Sequence, residues 1–446
     1  MAEVDVDVVV VGAGLSGLSA ARELTRQGVR VLVLEARDRV GGKMYTLPLE
    51  GCAVDFGAHW VAPTQRRTLA LAHEFGIARE PQYLDGTHLA TLGGRRRKFT
   101  GSTPFVSVLG TAETAFAVVG VEMRRRLVDP EQPWRARLAG RWDSYTLAHF
   151  MRTMRSSTAR STFTLIARTV FGAEPSELSF LYFLWYAQCA GGLPALMDFE
   201  GGAQDSHLVG GTQQLCELLA AELGEAVVLG APVSSVAHDS TGVVVTSGAR
   251  TVHAGRVIVA VSPAVAGRIE FDPPLPPARE ALAQRMPMGA YMKAAALYER
   301  AWWRDRGLSG LAFADRGPVQ MVVDASPPAG RPGVLVGFVT GTPARALGGL
   351  ETGARRQAVL AAIAAMVAPE AARPVGYADV NWLEERWSRG APVGLMAPGT
   401  LTGLGPVLRK PAGSVHWAGT ETATEWNGYM EGAIQAGHRA AREITV

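Results

Sequence analysis

Residues 6–43 constrain the fold more than any other part of the chain; they read VDVVVVGAGLSGLSAARELTRQGVRVLVLEARDRVGGK. The uninterrupted run from Val8 to Val11 is typical of a strand buried on both faces, as in a parallel sheet. A glycine-rich GxGxxG turn follows, made by Gly12, Gly14 and Gly17. A helical stretch that ends at Gly28, a residue type that favours a helix stop, and a second strand ending in Glu35 complete the unit. This order of strand, turn, helix and strand predicts a dinucleotide-binding βαβ unit.

The glycine turn and Glu35 indicate the type of ligand. Glycines let the backbone approach a pyrophosphate, and the N-terminus of the following helix offers it free N–H groups and a positive dipole. Glu35 lies 18 residues after the last glycine, where a carboxylate can accept hydrogen bonds from an adenosine ribose. A carboxylate there disfavours the 2′-phosphate of NADP, which leaves FAD or NAD as the predicted ligand.

Composition excludes several other classes of protein. The 446-residue chain has a net charge of +3, and its length predicts two or three domain-sized units. The one dense basic run, residues 93–101, is predicted to be a solvated hairpin, not a nucleic-acid site, because no aromatic-rich surface surrounds it. A first strand near Val6 leaves no room for a signal peptide, and no long apolar stretch is free of charge. We therefore expect a cytoplasmic protein with no membrane partner.

The cysteines and lysines are few. The cysteines, Cys52, Cys189 and Cys216, have neither CxxC nor metal-type spacing, so we predict no metal site and a reducing cytosol. Of 44 basic residues only four are lysines, and Lys293 stands in the apolar stretch MGAYMKAAALYE. A buried cation is costly unless it is paired or its pKa falls. The residues alone leave two alternatives for Lys293, a snorkelling side chain or a pair with a carboxylate such as Glu299.

Further motifs follow the first one in a specific order: EARDRVGGK, VDFGAHWVAPTQ, FLWYAQCAGG, GGAQDSHLVGGTQQL, NWLEERWSRGA and VHWAGTETATEWNGYMEGAIQAG. With these motifs the chain resembles the flavin-dependent monoamine oxidases, with the polyamine oxidases as close relatives, over nearly its full length. The resemblance implies an α/β fold in which a Rossmann-like FAD-binding domain is interleaved with an α+β substrate domain, a mixed sheet flanked by helices. We expect the FAD-binding domain at 1–80, 206–286 and 386–446, and the substrate domain at 81–205 and 287–385.

The resemblance implies FAD as the cofactor, held without a covalent bond. Ala391 stands where mitochondrial monoamine oxidases attach FAD through a cysteine. The family places Glu421 on the ribityl and phosphate region and Val233 against the adenine. The other residues that we predict to bind FAD are Gly12, Gly14, Ser16, Gly17, Glu35, Ala36, Arg37, Gly42, Lys43, Gly57, Ala58, His59, Trp60, Trp382, Gly419 and Met430.

Lys293 and Tyr429 are the predicted catalytic residues. The resemblance implies that Lys293 holds a water against flavin N5 and assists the reaction with oxygen, a role that arginine, with its fixed charge, could not tune. Tyr429 matches one of two aromatic rings that flank the substrate nitrogen in the family. The second ring position is Pro392 here, so the cage is incomplete. Candidates for a substitute ring are Trp60, Tyr186, Trp382, Trp387 and Trp426, although each aromatic taken alone is more often a core residue.

The predicted substrate pocket consists of Trp60, Tyr186, Gln204, Met321, Pro392, Trp426 and Tyr429. Met321 stands where the family often has a gating aromatic, which favours a more open entrance. The motif GAHW, which contains His59, is similar to that of the polyamine oxidases. The alternative for His59 is a histidine beside the flavin whose ring hydrogen-bonds to backbone groups. On the C-terminal helix one face consists of small residues, which predicts very close packing against other backbone.

These features predict a soluble bacterial FAD-dependent amine oxidase that transfers hydride from the substrate α-carbon to the flavin and reduces O₂ to H₂O₂. A homodimer is an allowed assembly. One alternative is a biosynthetic oxidase of the same fold that acts on an amine or amide of a secondary metabolite. An L-amino-acid oxidase is disfavoured because His59 or Trp60 stands where those enzymes place an arginine. A flavin-binding scaffold without turnover is disfavoured because Lys293 is retained.

Overall fold

The protein is described as a computed structural model, which covers residues 2–101 and 108–445. Within them the strands are β1 (Ala2–Val11), β2 (Val31–Leu34), β3 (Thr46–Leu49), β4 (Cys52–Asp55), β5 (Trp60–Val61), β6 (Arg79–Pro81), β7 (Thr87–Leu92), β8 (Arg95–Phe99), β9 (Ser206–Leu208), β10 (Val227–Val228), β11 (Ser235–His238), β12 (Val243–Ser247), β13 (Arg250–Val259), β14 (Glu270–Asp272), β15 (Tyr291–Tyr298), β16 (Leu308–Ala314), β17 (Met321–Asp324), β18 (Gly333–Thr340), β19 (Gly376–Asn381) and β20 (Val415–Trp417).

The α-helices of the same residues are α1 (Leu15–Arg26), α2 (Arg66–Glu74), α3 (Val108–Arg125), α4 (Ala139–Asp143), α5 (Leu147–Met151), α6 (Ser157–Ile166), α7 (Phe180–Cys189), α8 (Leu193–Met197), α9 (Gln214–Leu223), α10 (Pro263–Ala266), α11 (Pro277–Arg285), α12 (Thr342–Gly348), α13 (Thr352–Met366), α14 (Thr400–Leu404) and α15 (Met430–Thr445). The predicted α/β class is confirmed, since two large sheets share the chain with these helices. None of the described helices is both long and apolar enough to cross a bilayer.

The first large sheet has the strand order β10-β2-β1-β13-β12-β11-β14, with β20 also paired to β13. Strands β10, β2, β1, β13 and β20 run parallel. Val8, Val9 and Val10 of β1 are almost fully buried, which confirms the prediction of a strand covered on both faces. Helix α1 ends before Gly28, whose positive φ of 80° provides the predicted stop.

The second large sheet has the order β19-β15-β18-β17-β16-β7-β8 and is mostly antiparallel. All strands of the first sheet fall within 1–80, 206–286 or 386–446, and all strands of the second fall within 81–205 or 287–385. The exact domain boundaries stay a prediction. The basic run forms strand β8 of the β7–β8 hairpin, and its four basic side chains are exposed, which confirms a solvated hairpin face.

Strand β13 is shared by the parallel and the antiparallel parts of the first sheet. The structure has one ten-residue strand that is parallel to β1 along its length, antiparallel to β12 over Arg250–Ala254 and parallel to β20 over Val257–Val259. A strand can do this because its two edges bond to different neighbours. The antiparallel extension is thereby joined directly to the parallel core of the cofactor sheet.

The C-terminal helix α15 packs closely on α1, as its small residues predicted. A Cβ atom added at Gly437 would lie 2.3 Å from the Ser16 carbonyl oxygen and 3.1 Å from the Ala20 amide nitrogen. The two backbones therefore approach each other more closely than any larger side chain allows.

We expect Gly437→Ala to destabilise the fold by about 1–3 kcal/mol, because the added methyl group overlaps backbone that cannot move independently. Thermal unfolding should show a lower midpoint, and the purified protein should hold less flavin, since Ser16 is next to the glycine turn. The matched control is Gly403→Ala on α14, where an added Cβ would meet no atom within 4 Å. Equal midpoints for the two variants would contradict this packing.

Candidate active site

A cleft of about 790 Å³ lies at the carboxyl ends of β1, β2 and β13. This is the edge at which open parallel sheets bind their ligands. Many of the residues predicted for the cofactor line it: Gly12, Gly14, Ser16, Glu35, Arg37, Gly42, Lys43, Ala58, Gly419, Glu421 and Met430. Tyr429, predicted as a catalytic residue, lines it as well. The structure thus brings together residues from the start and the end of the chain.

The lining of the cleft fits a dinucleotide. Gly14 caps α1 without a side-chain hydrogen bond, and an added Cβ there would meet no atom within 4 Å. The first N–H groups of α1 have no partner within the helix and can therefore bind an anion in that open space. Glu35 is oriented by the Ala13 and Arg37 amides, which donate to its carboxylate over 2.8 and 3.0 Å. Its remaining lone pairs can accept ribose hydroxyls.

Two cations adjoin this cleft. Lys43 Nζ donates to the Pro392 carbonyl oxygen over 2.6 Å and lies 3.4 Å from the buried Glu421 carboxylate. Arg37 contacts Glu35, and its guanidinium also pairs with Glu385. Burial lowers the pKa of Arg37, and the Glu35 carboxylate opposes that shift.

Other residues predicted for the cofactor do not line the cleft: Gly17, Ala36, Gly57, His59, Trp60, Val233 and Trp382. Gly17 has a packing role, because a Cβ there would lie 2.0 Å from the Gly12 carbonyl oxygen. Trp382 is buried and donates its indole N–H to the Phe56 carbonyl oxygen over 2.9 Å. The cofactor roles assigned to these residues stay predictions.

Sequence reasoning missed part of the lining: Ala260, Val261, Ser262, Met288, Ser388 and Thr420. Residues 260–262 directly follow β13, which pairs with β1. The VAVSP stretch after a buried strand was the available signal, but its place at the cleft depends on the strand order. Trp387, predicted as a substitute cage ring, also lines this cleft.

Lys293 is buried, with 3% of its surface exposed, and both alternatives drawn from the residues alone were wrong. Its ammonium group donates to the carbonyl oxygens of Gly57 over 2.7 Å and Asp55 over 3.3 Å, and Glu299 is exposed. Burial lowers the pKa of Lys293 to about 8, a shift that Asp55 partly opposes. The amine can therefore change its charge near neutral pH. Gly57 directly precedes Ala58, so Lys293 is bonded to the segment that lines the cleft.

Aromatic rings form the wall next to the cleft at Tyr429. The Tyr429 ring lies 5.0 Å from the Trp426 ring and 6.3 Å from the Tyr186 ring, measured between centroids. Tyr186 is fully buried on α7. Burial, with Tyr429 nearby, holds the pKa of Tyr186 well above its usual range, so the Tyr186 hydroxyl stays neutral. Three predicted pocket residues are thereby brought together.

A second aromatic wall lies on the β15–β18 face of the other sheet. Trp60 stacks on Phe338 at 5.3 Å, and the Lys293 ammonium lies 4.9 Å from the Phe338 ring centroid. Met321 pairs in register with Phe338 and is buried. Tyr291, which the sequence did not single out, lies on the same strand face as Lys293 because the two are two residues apart on β15. Burial and the nearby Tyr429 raise the pKa of Tyr291, whose ring lies 6.2 Å from the Phe338 ring.

The remaining predicted pocket residues differ in placement. Pro392 adjoins the cofactor cleft, since its carbonyl oxygen binds Lys43. Gln204 donates to the Leu196 carbonyl oxygen over 3.2 Å, while its own buried side-chain oxygen has no partner. His59 is not satisfied by backbone groups, which corrects that alternative. Neither of its ring nitrogens makes a hydrogen bond, and its closest charged neighbour is Asp55 at 3.4 Å.

Comparison with known proteins identifies the family. Residues 15–445 match the flavin containing amine oxidoreductases. AofH of Mycobacterium tuberculosis, named as a flavin-containing monoamine oxidase, is 42% identical over 98% of this chain and 96% of its own. An L-amino acid dehydrogenase of Synechocystis is 37% identical over 98% and 94%. The solved structure of a putrescine oxidase bound to putrescine superposes with a TM-score of 0.96 at 32% identity and covers all of both chains.

The family and the fit of the cleft agree with the cofactor expected from the sequence. The chain therefore belongs to the flavin containing amine oxidoreductases, as an oxidoreductase whose cofactor is FAD.

Proposed function

We propose that this enzyme oxidises a small amine without a free carboxylate, transfers hydride from its α-carbon to FAD, and passes the electrons to O₂. The products are an imine, which water hydrolyses, and H₂O₂. The observation that supports this proposal most directly is the position of Tyr429, which lines the cofactor cleft and also contacts Trp426 and Tyr186. A cluster of buried aromatic rings therefore adjoins the cofactor cleft at this residue.

When bound, FAD supplies the two-electron acceptor; the protein supplies the environment. The buried rings of Tyr186 and Trp426 exclude water, and desolvation favours the neutral form of an amine. A neutral nitrogen has the lone pair that assists departure of hydride from the neighbouring carbon, so no protein base has to attack the C–H bond. The Lys293 ammonium supplies positive charge where oxygen gains electrons.

The neighbouring groups argue for an amine rather than an amino acid. The arginines that could have held a carboxylate are engaged elsewhere or exposed: Arg345 pairs with Glu177 over 2.7 Å, and Arg316 is exposed. Arg67 pairs with Glu425 and Glu431. The similarity to an L-amino acid dehydrogenase makes amino acids the second class to test.

Anaerobic mixing with a panel of amines tests the proposal in one cuvette. We expect at least one primary amine among tyramine, tryptamine, cyclohexylamine and putrescine to bleach the oxidised flavin spectrum. On admission of air the spectrum should return with one equivalent of H₂O₂. Bleaching by amino acids alone would contradict the proposed substrate class, and a flavin that no member of either class reduces would contradict the activity.

A further inference from the structure

Four titratable side chains extend from the Lys293 pocket towards solvent, outside the cofactor cleft: Asp55, His59, His207 and Glu80. We propose that His59 and His207 conduct protons between the oxygen-reaction site beside Lys293 and solvent at Glu80. Oxygen reduction beside Lys293 belongs to the proposed function, on which this inference rests.

The inner end of this route is fixed by Asp55. One carboxylate oxygen accepts hydrogen bonds from the Thr46 hydroxyl over 2.6 Å and from the Thr212 amide over 3.0 Å. The other oxygen faces His59 Nδ1 at 3.4 Å. Asp55 is 3% exposed and held on one side, so its other oxygen faces the His59 ring. Lys293 bonds to the Asp55 and Gly57 carbonyl oxygens, so it is anchored to the segment that carries His59.

The two histidines are adjacent. Their rings stack with centroids 5.7 Å apart and planes inclined by 8°. This arrangement follows from strand register, because Trp60, next to His59, pairs with His207 across β5 and β9. Both His59 ring nitrogens and His207 Nδ1 are buried without a hydrogen-bond partner in the protein. Buried polar atoms are rarely left unpaired unless they have a function or bind water, which makes this pair an exception that needs a reason.

The outer end opens to solvent at Glu80. His207 pairs with Glu80 across β9 and β6, and its Nε2 lies 3.6 Å from the Glu80 carboxylate. The His207 side chain is 22% exposed and the Glu80 side chain 35% exposed. Exposure therefore increases step by step from Asp55 to Glu80.

Burial keeps both rings neutral. Burial lowers the pKa of His59, and the Lys293 charge lowers it further, against the opposing effect of Asp55. Burial, with His59 nearby, lowers the pKa of His207 to about 4, against Glu80, Asp55 and Asp324. A neutral imidazole has one protonated and one free nitrogen, so it can accept a proton on one side and release another on the other side. Because stacked rings do not hydrogen-bond to each other directly, the proposed route passes the proton between them through a bridging water.

The reaction needs such a route because protons must enter and leave a buried site. An amine arrives from water as an ammonium ion and loses one N–H proton before hydride leaves its carbon. Reduction of O₂ to H₂O₂ takes two electrons and two protons, one of which arrives with the hydride. The second proton has to come from solvent. One proton leaves and one enters in each cycle, and no bond in the protein changes.

The oxidative half of the cycle tests the route without any amine. Photoreduced holoenzyme is mixed with O₂ in weak buffer, and a pH indicator follows proton uptake while absorbance follows flavin oxidation. We expect His207→Asn and His59→Asn to slow proton uptake by about ten-fold or more, since a positioned proton donor contributes ~10²–10⁴. Millimolar imidazole should restore the rate of His207→Asn, whose site is partly exposed. The solvent isotope effect should rise in both variants.

The matched control is His88→Asn, since His88 is buried and bonds to Ser309 at 2.6 Å, away from these groups. This variant should leave the rate of proton uptake unchanged. Wild-type uptake rates in both His207→Asn and His59→Asn would overturn the proposal. A variant with slow proton uptake that imidazole does not restore, and with an unchanged isotope effect, would also overturn the proposal, because that pattern indicates a packing role. Because photoreduction replaces the substrate, an absence of amine turnover would count against the proposed function and not against the route.

Discussion

Lys293→Met is expected to slow the reaction of the reduced enzyme with O₂ by about 10²–10³-fold, the usual loss when one preorganised charge or donor is removed. The flavin should stay bound, because Lys293 contacts the Gly57 and Asp55 carbonyl oxygens and does not line the cofactor cleft. Methionine has a similar volume without the charge, so it removes the electrostatic effect with little change in packing. Stopped-flow measurement of flavin reoxidation gives the rate directly, and reduction by an amine is measured separately.

The pH profile distinguishes a charge effect from a packing effect. Because the Lys293 pKa is about 8 in the folded protein, the ammonium form predominates below that pH. Wild-type reoxidation should therefore decrease as pH rises through about 8, whereas the profile of Lys293→Met should be flat there. Lys410→Met, at an exposed lysine, is the control and should behave as wild type. Unchanged rates in both half-reactions of Lys293→Met would leave this lysine with a structural role.

The parts of the fold that the sequence predicted depend on local signals. The glycine turn, the stop at Gly28 and the small face of α15 each require a particular residue type within a few positions. The pairing of β13 with β1 on one edge and with β12 on the other could not be predicted from such local signals. It depends on which strands meet in three dimensions, and the residues themselves were typical of either arrangement.

The candidate site shows the same division. Many motif residues predicted for the cofactor line the cleft, while Ser262 and Ser388 reach it only because of the strand order and a loop from the other end of the chain. Tyr291 and His207 were missed for a related reason. An aromatic or a histidine on a strand is usually a core or surface residue. Only the ring contact of Tyr291 with Phe338 and the register of His207 with Trp60 and Glu80 give these two a place near the proposed reaction.

A free carboxylate on the substrate should cost several orders of magnitude in kcat/KM. An unpaired carboxylate moved from water into an aromatic cavity loses several kcal/mol of hydration, and each 1.4 kcal/mol is a factor of ten. An arginine fork would compensate best, because it binds both oxygens. His59 and Trp60 occupy the segment where such an arginine was sought, and Lys293 is already bonded to two carbonyl oxygens.

Matched pairs of compounds that differ only in the carboxylate measure this effect. Tyramine should exceed tyrosine, and tryptamine should exceed tryptophan, by at least about 10²–10³-fold in kcat/KM, with peroxide formation as the readout. The methyl esters of the two amino acids are the control for size, and they should recover part of the difference because the charge is removed and the bulk is kept. Efficient oxidation of a free L-amino acid, with its ester no better, would contradict the amine assignment. Arginine variants, beginning with those of Arg316 and Arg345, would then identify the carboxylate site. A variant that lacks the true carboxylate partner should lose activity with the free amino acid and keep activity with its ester.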